Sequence, residues 1–315
     1  MSKNCLYCYK KLGKGETDFH EHCSLEFFGT KQAPLLSYSL NEMADLAKKV
    51  VARSVTVPGV QPKLSLTLID SALANGHRGR LTVVGAFGGN YIFKPPSNDY
   101  PEMPQNEHVT MRIAEAFGIN TVKSSLIRLK SGELSYITKR IDRTKTGEKI
   151  HMLDMFQIVE AFDKYKSSME KIGKALNDYS TNTLLDKLYF FELTLFYFLT
   201  GNNDMHLKNF SMLNENNSWS LSPAYDLLNV HIVNPSDTEE LALTLEGKKK
   251  KLKKDHFERF GKVLDLTDKQ IEGVFTRLEK NKTLALEWIE NSFLSAKYKK
   301  AYRELLEERY SVLVK

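Results

Sequence analysis

The sequence predicts an α+β fold with two lobes, a small mixed β lobe followed by a larger all-helical lobe. Short segments with apolar residues on alternate positions, such as Leu64–Ile69, dominate the first part and indicate half-buried strands. Later segments carry the longer apolar periodicity of helices. Capping boxes at Ser39–Glu42 and Thr267–Gln270 indicate helix starts in both parts. We expect the first lobe at 31–142 and the second at 143–315.

Turn residues separate the expected elements of the first lobe. Gly118 should stop a helix, and Ser131-Gly132 should form the turn of a hairpin. In chain order we expect a helix to about residue 53, strands at 64–69, 81–87 and 90–94, a helix at 105–117, and strands at 122–129 and 134–139.

The second lobe should be helical throughout. Its segment 182–200 is apolar on nearly every face, which is typical of a buried helix, and it ends at the potential C-cap residue Gly201. The expected helices are 151–162, 167–177, 182–200, 266–280, 282–295 and 297–313.

Composition indicates a soluble globular protein. Of the 315 residues, 42% are apolar and 27% are charged, and charged residues interrupt every run long enough to span a membrane. The N-terminus has no apolar signal region, so we expect a cytoplasmic protein with no membrane partner. The net charge of +6 permits an acidic or nucleic-acid-bearing partner without requiring one.

The first 30 residues contain all three cysteines and predict a small zinc knuckle. Cys5 and Cys8 form a C-x2-C pair, and His20 with Cys23 forms an H-x2-C pair, which is the spacing of a structural Cys3His zinc site. His22 competes with His20 for the fourth position. The alternative is three free thiols in a reducing compartment.

A polar segment directly after the buried helix has the spacing of a phosphoryl-transfer site. Asp204 lies five residues before Asn209, and Asp226 follows seventeen residues later. Kinase-type enzymes use one Asp to orient the attacking hydroxyl, while an Asn and a second Asp hold Mg²⁺. The first motif alone also occurs by chance in polar surface loops, but its position after a buried helix favours a rigidly presented site.

A kinase cleft also needs a cation on a strand and an acid that holds it. Lys94 ends the apolar strand at 90–94, and Glu107 begins the following helix. Their alternative roles are a solvated strand end and a first-turn glutamate favoured by the helix dipole. A phosphate-covering loop could be formed by Gly59, Gln61 and Lys63, although no G-x-G-x-x-G pattern occurs.

Together these motifs resemble the HipA-like serine/threonine kinases, toxins of bacterial toxin–antitoxin systems. The matching segments are Thr56–Lys63, Lys94, Asn106-Glu107, Asp204–Phe210 and Tyr225-Asp226, in the family's order. The resemblance runs from about residue 50 to about 290. It implies a protein-kinase-like fold with the nucleotide in the cleft between two lobes. The chain looks like the short, HipT-type form, which lacks an N-terminal β subdomain.

The resemblance implies a role for each matching residue. Asp204 would be the catalytic base, supported by His206 and Lys208, while Asn209 and Asp226 would bind Mg²⁺. Lys94 would contact the ATP phosphates, and main-chain groups around Lys139 and Ile141 would bind the adenine edge. Autophosphorylation would fall on Ser54 or Thr56 in the phosphate loop, where an added phosphate would repel ATP.

Partners follow from the resemblance as well. The substrate would be a protein such as an aminoacyl-tRNA synthetase, and the antitoxins would be small HipS-like and helix-turn-helix HipB-like proteins, so that DNA contact is indirect. The basic run from Lys248 to Lys254 is either a solvated loop or a contact for bound tRNA.

Two other functions remain open from the sequence. The same scaffold could phosphorylate a small molecule or a lipid. It could also be a catalytically silent module in an antitoxin complex, although a silent module has no need of all four residues Lys94, Asp204, Asn209 and Asp226.

Overall fold

The computed structural model describes residues 3–53, 63–69, 79–84, 88–97, 99–144 and 146–314, with the side chains of 47–53 and of residue 314 left out. Its strands and helices confirm the expected α+β class. The chain divides into two compact units. Unit 1 comprises Met1–His108, Val122–Gly147 and Asn291–Phe293, and unit 2 comprises Val109–Thr121, Glu148–Glu290 and Leu294–Lys315.

A mixed sheet forms the core of unit 1. Within the described ranges it has six strands in the order β1-β3-β2-β4-β6-β5. The β1–β3 pair is parallel and the other pairs are antiparallel. The strands are β1 Leu35–Leu36, β2 Leu64–Ile69, β3 Arg80–Val84, β4 Tyr91–Lys94, β5 Ser124–Arg128 and β6 Leu134–Lys139.

Three helices begin in unit 1: α1 Glu21–Phe28, α2 Leu40–Arg53 and α3 Met103–Ala116. The capping box expected at the start of α2 is present, because the Ser39 N–H donates to Glu42 Oε2 at 2.7 Å and the Glu42 N–H donates to Ser39 Oγ at 3.4 Å. Helix α3 is followed by Gly118 in the left-handed region at φ 83°, as its C-cap position requires.

Helices dominate unit 2, and α6 is its core. Phe190, Phe191, Phe196 and Phe198 of α6 are all fully buried, which explains why its sequence is apolar on nearly every face. The helices are α4 Met155–Ile158, α5 Met169–Tyr179, α6 Thr183–Thr200, α7 Val230–Val233, α8 Lys254–Val263, α9 Asp268–Lys280, α10 Lys282–Asn291 and α11 Ala296–Val314. In the described part of the chain, no helix is both long enough and apolar enough to cross a lipid bilayer.

The expectation of an all-helical second lobe was wrong in one respect. A three-stranded antiparallel sheet of β7 His151–Asp154, β8 Ser211–Glu215 and β9 Ser218–Leu221 lies in the described part of unit 2. The helix expected at 151–162 is instead strand β7 followed by the single turn α4. Pairing with β8 and capping of α4 by Asp154, which accepts from the Gln157 N–H at 2.9 Å, override the local helical pattern.

Candidate active site

Helix α6 ends at Gly201 in a turn that strongly favours glycine. Gly201 has φ 66°, and its N–H donates to Phe198 O at 3.3 Å. A Cβ placed on it would lie 2.4 Å from Leu305 Cδ2 and 3.0 Å from Asn229 Oδ1. Positive φ combined with this crowding fixes both the residue type and the direction in which the following loop leaves the helix.

Hydrogen bonds from two buried asparagines hold the loop after Gly201 in place. Asn202 donates through Nδ2 to Asp226 O at 3.4 Å, and Asn203 donates to Glu239 O at 3.0 Å. Met205 and Leu207 are fully buried and anchor the next residues in the core. Asp204, between these anchors, remains half-buried and accessible to a ligand.

Asp204 accepts a hydroxyl hydrogen bond in the structure. The Tyr165 hydroxyl donates to Asp204 Oδ1 at 2.6 Å. Partial burial and the neighbouring Asp204 carboxylate raise the pKa of Tyr165, so the phenol stays protonated and remains a donor. Sequence reasoning missed Tyr165, because one tyrosine in a polar segment gives no signal of its partner.

His206 lies beside Asp204, and both of its ring nitrogens have a partner within hydrogen-bond distance. Lys164 Nζ is 2.9 Å from its Nε2, and the Lys208 N–H is 3.3 Å from its Nδ1. Burial lowers the pKa of His206, and Lys164 lowers it further, against the opposite effect of the Asp204 and Asp226 carboxylates. The neutral imidazole is therefore favoured, although the Asp204 and Asp226 carboxylates both raise the pKa of this ring.

Hydrogen bonds with the loop after Gly201 hold both expected metal ligands, Asn209 and Asp226. Asn209 donates through Nδ2 to Asp204 O at 3.1 Å, which leaves its amide oxygen as the group suited to a cation. Asp226 adopts the left-handed region at φ 58°. An amide oxygen and a carboxylate are hard donors of the kind that Mg²⁺ prefers, so these residues fit that ion.

Tyr225 connects the two segments that carry the predicted metal ligands Asn209 and Asp226. Its hydroxyl lies 2.6 Å from Ser211 Oγ and donates to Lys208 O at 3.1 Å. The segment before it is fixed by the Ala224 N–H, which donates to Asn120 O at 2.8 Å. Asp226, directly after Tyr225, is thereby held in position relative to the loop at 204–209.

Lys208, the third predicted catalytic residue, is exposed and lies over an aromatic ring. Its Nζ is 4.8 Å from the centroid of Phe156, the second residue of α4. The neighbouring Asp154 carboxyl has its pKa raised by burial, an effect that the charge of Lys208 partly offsets. The ammonium of Lys208 therefore contacts the Phe156 ring, while the side chain as a whole stays exposed.

In unit 1 the predicted strand lysine and helix glutamate form a buried ion pair. Lys94 Nζ donates to Glu107 Oε1 at 2.7 Å, with 6% and 2% of the two side chains exposed. The ammonium also lies 5.3 Å from the ring centroid of Tyr136, the residue opposite Lys94 on β6. Buried charges of this kind require such pairing, so neither residue has the solvated role considered as its alternative.

Other predicted nucleotide contacts are less complete. The Lys139 N–H is occupied within unit 1, because it donates to Lys123 O at 2.9 Å. The contact of Ile141 with an adenine edge stays a prediction. Lys63 is exposed and directly precedes β2. The predictions for Ser54, Thr56, Gly59 and Gln61 lie outside the described residues.

The predicted zinc ligands are close together in unit 1. One ligand atom from each of Cys5, Cys8, His20 and Cys23 lies within 4.8 Å of the others.

The basic run is largely engaged within unit 2. Lys248 Nζ lies 2.9 Å from His256 Nε2, Lys249 pairs with Glu239 at 3.2 Å, and Lys250 donates to Thr238 Oγ1 at 2.6 Å. Three lysines of the run therefore have partners within unit 2, and the tRNA contact stays a prediction.

Sequence relatives of the chain are named as kinases. A "Putative kinase" of Haemophilus influenzae is 29% identical over 211 residues, 62% of this chain and 59% of the relative. Another "Putative kinase", from Sinorhizobium fredii, is 31% identical over 249 residues, 73% of this chain and 59% of the relative. The serine/threonine-protein kinase toxin HipA of Shewanella oneidensis is 24% identical over 61% of this chain and 47% of the toxin. The chain thus spans roughly half to three fifths of these relatives.

Two solved structures share the fold. The HipA chain of a Shewanella oneidensis complex of HipA, HipB and operator DNA has a TM-score of 0.65 at 19% identity, covering 84% of this chain and 70% of that one. The Helicobacter pylori proinflammatory kinase CtkA has a TM-score of 0.52 at 19% identity, covering 71% and 87%. The expected kinase-like fold is therefore confirmed.

The match to a family is more specific than the fold. The model of the HipA-like C-terminal domain matches residues 55–285, which include Lys94, Glu107 and the segment from Asp204 to Asp226. This match extends over most of the chain, and the chain belongs to the HipA-like family.

Proposed function

We propose that this protein is an ATP- and Mg²⁺-dependent serine/threonine protein kinase that acts as the toxin of a toxin–antitoxin system. The buried Lys94–Glu107 pair is the observation that carries the proposal. A structural lysine at a strand end would extend into water, whereas a phosphate-binding lysine has to be held in place by an acid. The relatives named as kinases support the same activity.

Asp204 is the proposed base that orients the substrate hydroxyl. Its Oδ1 already accepts a hydroxyl hydrogen from Tyr165, which supports a role for this carboxyl group as the acceptor of a hydroxyl proton. With Oδ1 held by Tyr165, Oδ2 is the atom proposed to receive the proton of a substrate Ser or Thr. Neutral His206 packs edge-on against Tyr165, at 5.0 Å between ring centroids, and supports this arrangement.

Asn209 and Asp226 are the proposed Mg²⁺ ligands, and Lys208 and Lys94 the proposed cations for the phosphates. When bound, Mg²⁺ supplies positive charge that offsets the charge of the transferring phosphoryl group. Asn209 presents its amide oxygen because its nitrogen is used by Asp204 O. Ile141, with Gly59, Gln61 and Lys63, completes the proposed nucleotide contacts.

The proposed substrate is a protein of the translation apparatus, such as an aminoacyl-tRNA synthetase. The solved HipA relative was crystallised with HipB and operator DNA, which supports a DNA-binding antitoxin as a partner here. A small HipS-like antitoxin is a further proposed partner. None of Cys5, Cys8 and Cys23 forms a disulfide, which fits the reducing cytoplasm proposed as the location of this protein.

Autophosphorylation at Ser54 or Thr56 is the proposed form of self-regulation. The test is intact-mass and peptide mass spectrometry of the wild type and of Asp204→Ala after incubation with Mg-ATP. A phosphate on Ser54 or Thr56 in the wild type alone is the expected result. Equal phosphorylation of Asp204→Ala would contradict the role given to Asp204, because a kinase loses transfer when its base is removed.

A further inference from the structure

Among the described residues, the N-terminal segment contains the one cluster of three or more His, Cys, Asp or Glu side chains whose ligand atoms are close enough to hold a metal ion. Cys5 and Cys23 are buried, and Cys8 is half-buried. Their thiols and one ring nitrogen of His20 lie within 4.8 Å of one another. Four soft or borderline donors at this separation fit a tetrahedral Zn²⁺ ion, for which sulfur lies about 2.3 Å and nitrogen about 2.0 Å from the metal.

The imidazole of His20 is oriented as a ligand. Its Nδ1 lies 3.4 Å from Cys8 Sγ and 3.7 Å from Cys23 Sγ, so the ring directs one nitrogen between two sulfur atoms. The other nitrogen, Nε2, lies 3.0 Å from Lys11 O. A carbonyl that accepts from the outer nitrogen is the usual way in which a metal-bound histidine is held in the required tautomer.

The competing histidine has a different environment. His22 Nε2 lies 3.3 Å from Cys23 Sγ, its neighbour in sequence, and the ring stacks on His20 at 5.1 Å between centroids. It is His20 that completes the four-residue cluster. The two histidines therefore provide a ligand and a matched non-ligand in the same turn of chain.

The turn that presents the first two cysteines is strained. Tyr9, directly after Cys8, has φ 63°, and its N–H donates to Cys5 O at 3.0 Å. The left-handed region is sterically unfavourable for a non-glycine residue, so the surroundings must offset this strain. A metal bound by Cys5 and Cys8 would hold this turn closed.

The same segment packs on the elements that carry the Lys94–Glu107 pair. The Tyr9 hydroxyl lies 2.7 Å from Nδ1 of His108, the residue after Glu107 on α3. Phe27 and Phe28 of α1 contact Tyr91 on β4, the strand of Lys94, with ring centroids 5.9 and 6.1 Å apart. Asp18 also binds Arg128 of β5, with Oδ1 2.9 Å from the guanidinium.

We infer that Cys5, Cys8, His20 and Cys23 bind one structural Zn²⁺, which fixes the N-terminal segment against α3 and β4 and so supports the position of the Lys94–Glu107 pair. All four positions of the metal are filled by protein, so the site has no place for a substrate and is structural. The effect on the ion pair rests on the proposed nucleotide-binding function, whereas the metal site does not.

The first experiment measures metal in the purified full-length chain. Elemental analysis should find one zinc per chain, and replacement by Co²⁺ should give the intense visible bands of a tetrahedral cobalt–thiolate site. Cys8→Ser and His20→Ala should lose the metal, and His22→Ala should retain it. Zinc-free protein, iron with labile sulfide, or equal loss in His22→Ala and His20→Ala would overturn the assignment.

The second experiment tests the support of the ion pair. Wild type and His20→Ala are titrated with ATP in the absence of transfer, and the variant is expected to bind at least about tenfold more weakly. His22→Ala should bind as the wild type does. Unchanged ATP affinity in zinc-free His20→Ala would contradict the support of the ion pair by zinc, but not the assignment of the zinc ligands. Absence of ATP binding by the wild type would instead count against the proposed kinase function.

Discussion

Tyr165 positions the carboxylate that the proposed chemistry depends on. We predict that Tyr165→Phe lowers kcat about tenfold with little change in KM, because a hydrogen bond of about 1–1.5 kcal/mol that aligns Asp204 is lost. Phenylalanine keeps the ring contacts with Lys164 and His206. Steady-state kinetics check this, and an increase in kcat would show instead that the tyrosine competes with substrate for Asp204.

His206 makes stability depend on pH. Burial holds its pKa below the usual value of about 6.5, so the unfolded chain binds the proton more readily than the folded one. The contribution is therefore fully present above that pH and is lost as the pH falls. We predict that the stability difference between wild type and His206→Asn shrinks between pH 7.5 and 5.5, by at most about 1.4 kcal/mol per pH unit.

Urea unfolding at several pH values measures this difference. His151→Asn, at an exposed histidine on β7, serves as the control and should keep the wild-type dependence on pH. A stability difference for His206→Asn that is the same at both pH values would be inconsistent with the buried neutral ring.

Variants of the Lys94–Glu107 pair distinguish its effect on stability from its effect on activity. Lys94→Met leaves the Glu107 carboxylate buried without its ammonium, and we predict a loss of about 3–5 kcal/mol of unfolding free energy. The double variant Lys94→Met/Glu107→Leu removes both charges and should recover most of that loss. Neither variant should transfer phosphate. Urea unfolding and a transfer assay check this, and a double variant with activity would refute the role of Lys94.

Gly201 determines the direction in which the predicted catalytic loop leaves helix α6. We predict that Gly201→Ala costs about 2–4 kcal/mol, because it combines a strained positive φ with overpacking against Leu305 and Asn229. Gly118→Ala is the matched control, since Gly118 also follows a helix at positive φ but has no atom within 4 Å of its added Cβ. Thermal or urea unfolding should show a loss of about 1–2 kcal/mol for the control.

Elements with strong local signals were predictable from the sequence. Strand β2, helix α6 and the capped starts of α2 and α9 lie within a residue or two of the expected positions. Strand β7 was not, because its pairing partner β8 lies about sixty residues later in the chain. The hairpin of β8 and β9 was missed too, although its two strands are neighbours in sequence. Short helices such as α1 and α8 were missed as well, since helices of this length depend on tertiary packing.

For the whole molecule, sequence reasoning located the charged groups but not what positions them. The spacing of Asp204, Asn209 and Asp226 indicated the chemistry, and the Lys94–Glu107 pair could be proposed from kinase requirements. Tyr165 lies 39 residues before Asp204, so no local pattern could connect the two. The same holds for the Tyr9–His108 contact across 99 residues.

Transfer of labelled γ-phosphate to protein is the most direct test of the proposed kinase activity. Wild type and Asp204→Asn, which removes the charge and keeps the size of the side chain, are incubated with Mg-ATP and a bacterial lysate separated into protein and small-molecule fractions. We predict a labelled protein band with wild type and none above background with Asp204→Asn. Label confined to the small-molecule fraction, or equal labelling by both enzymes, would contradict it.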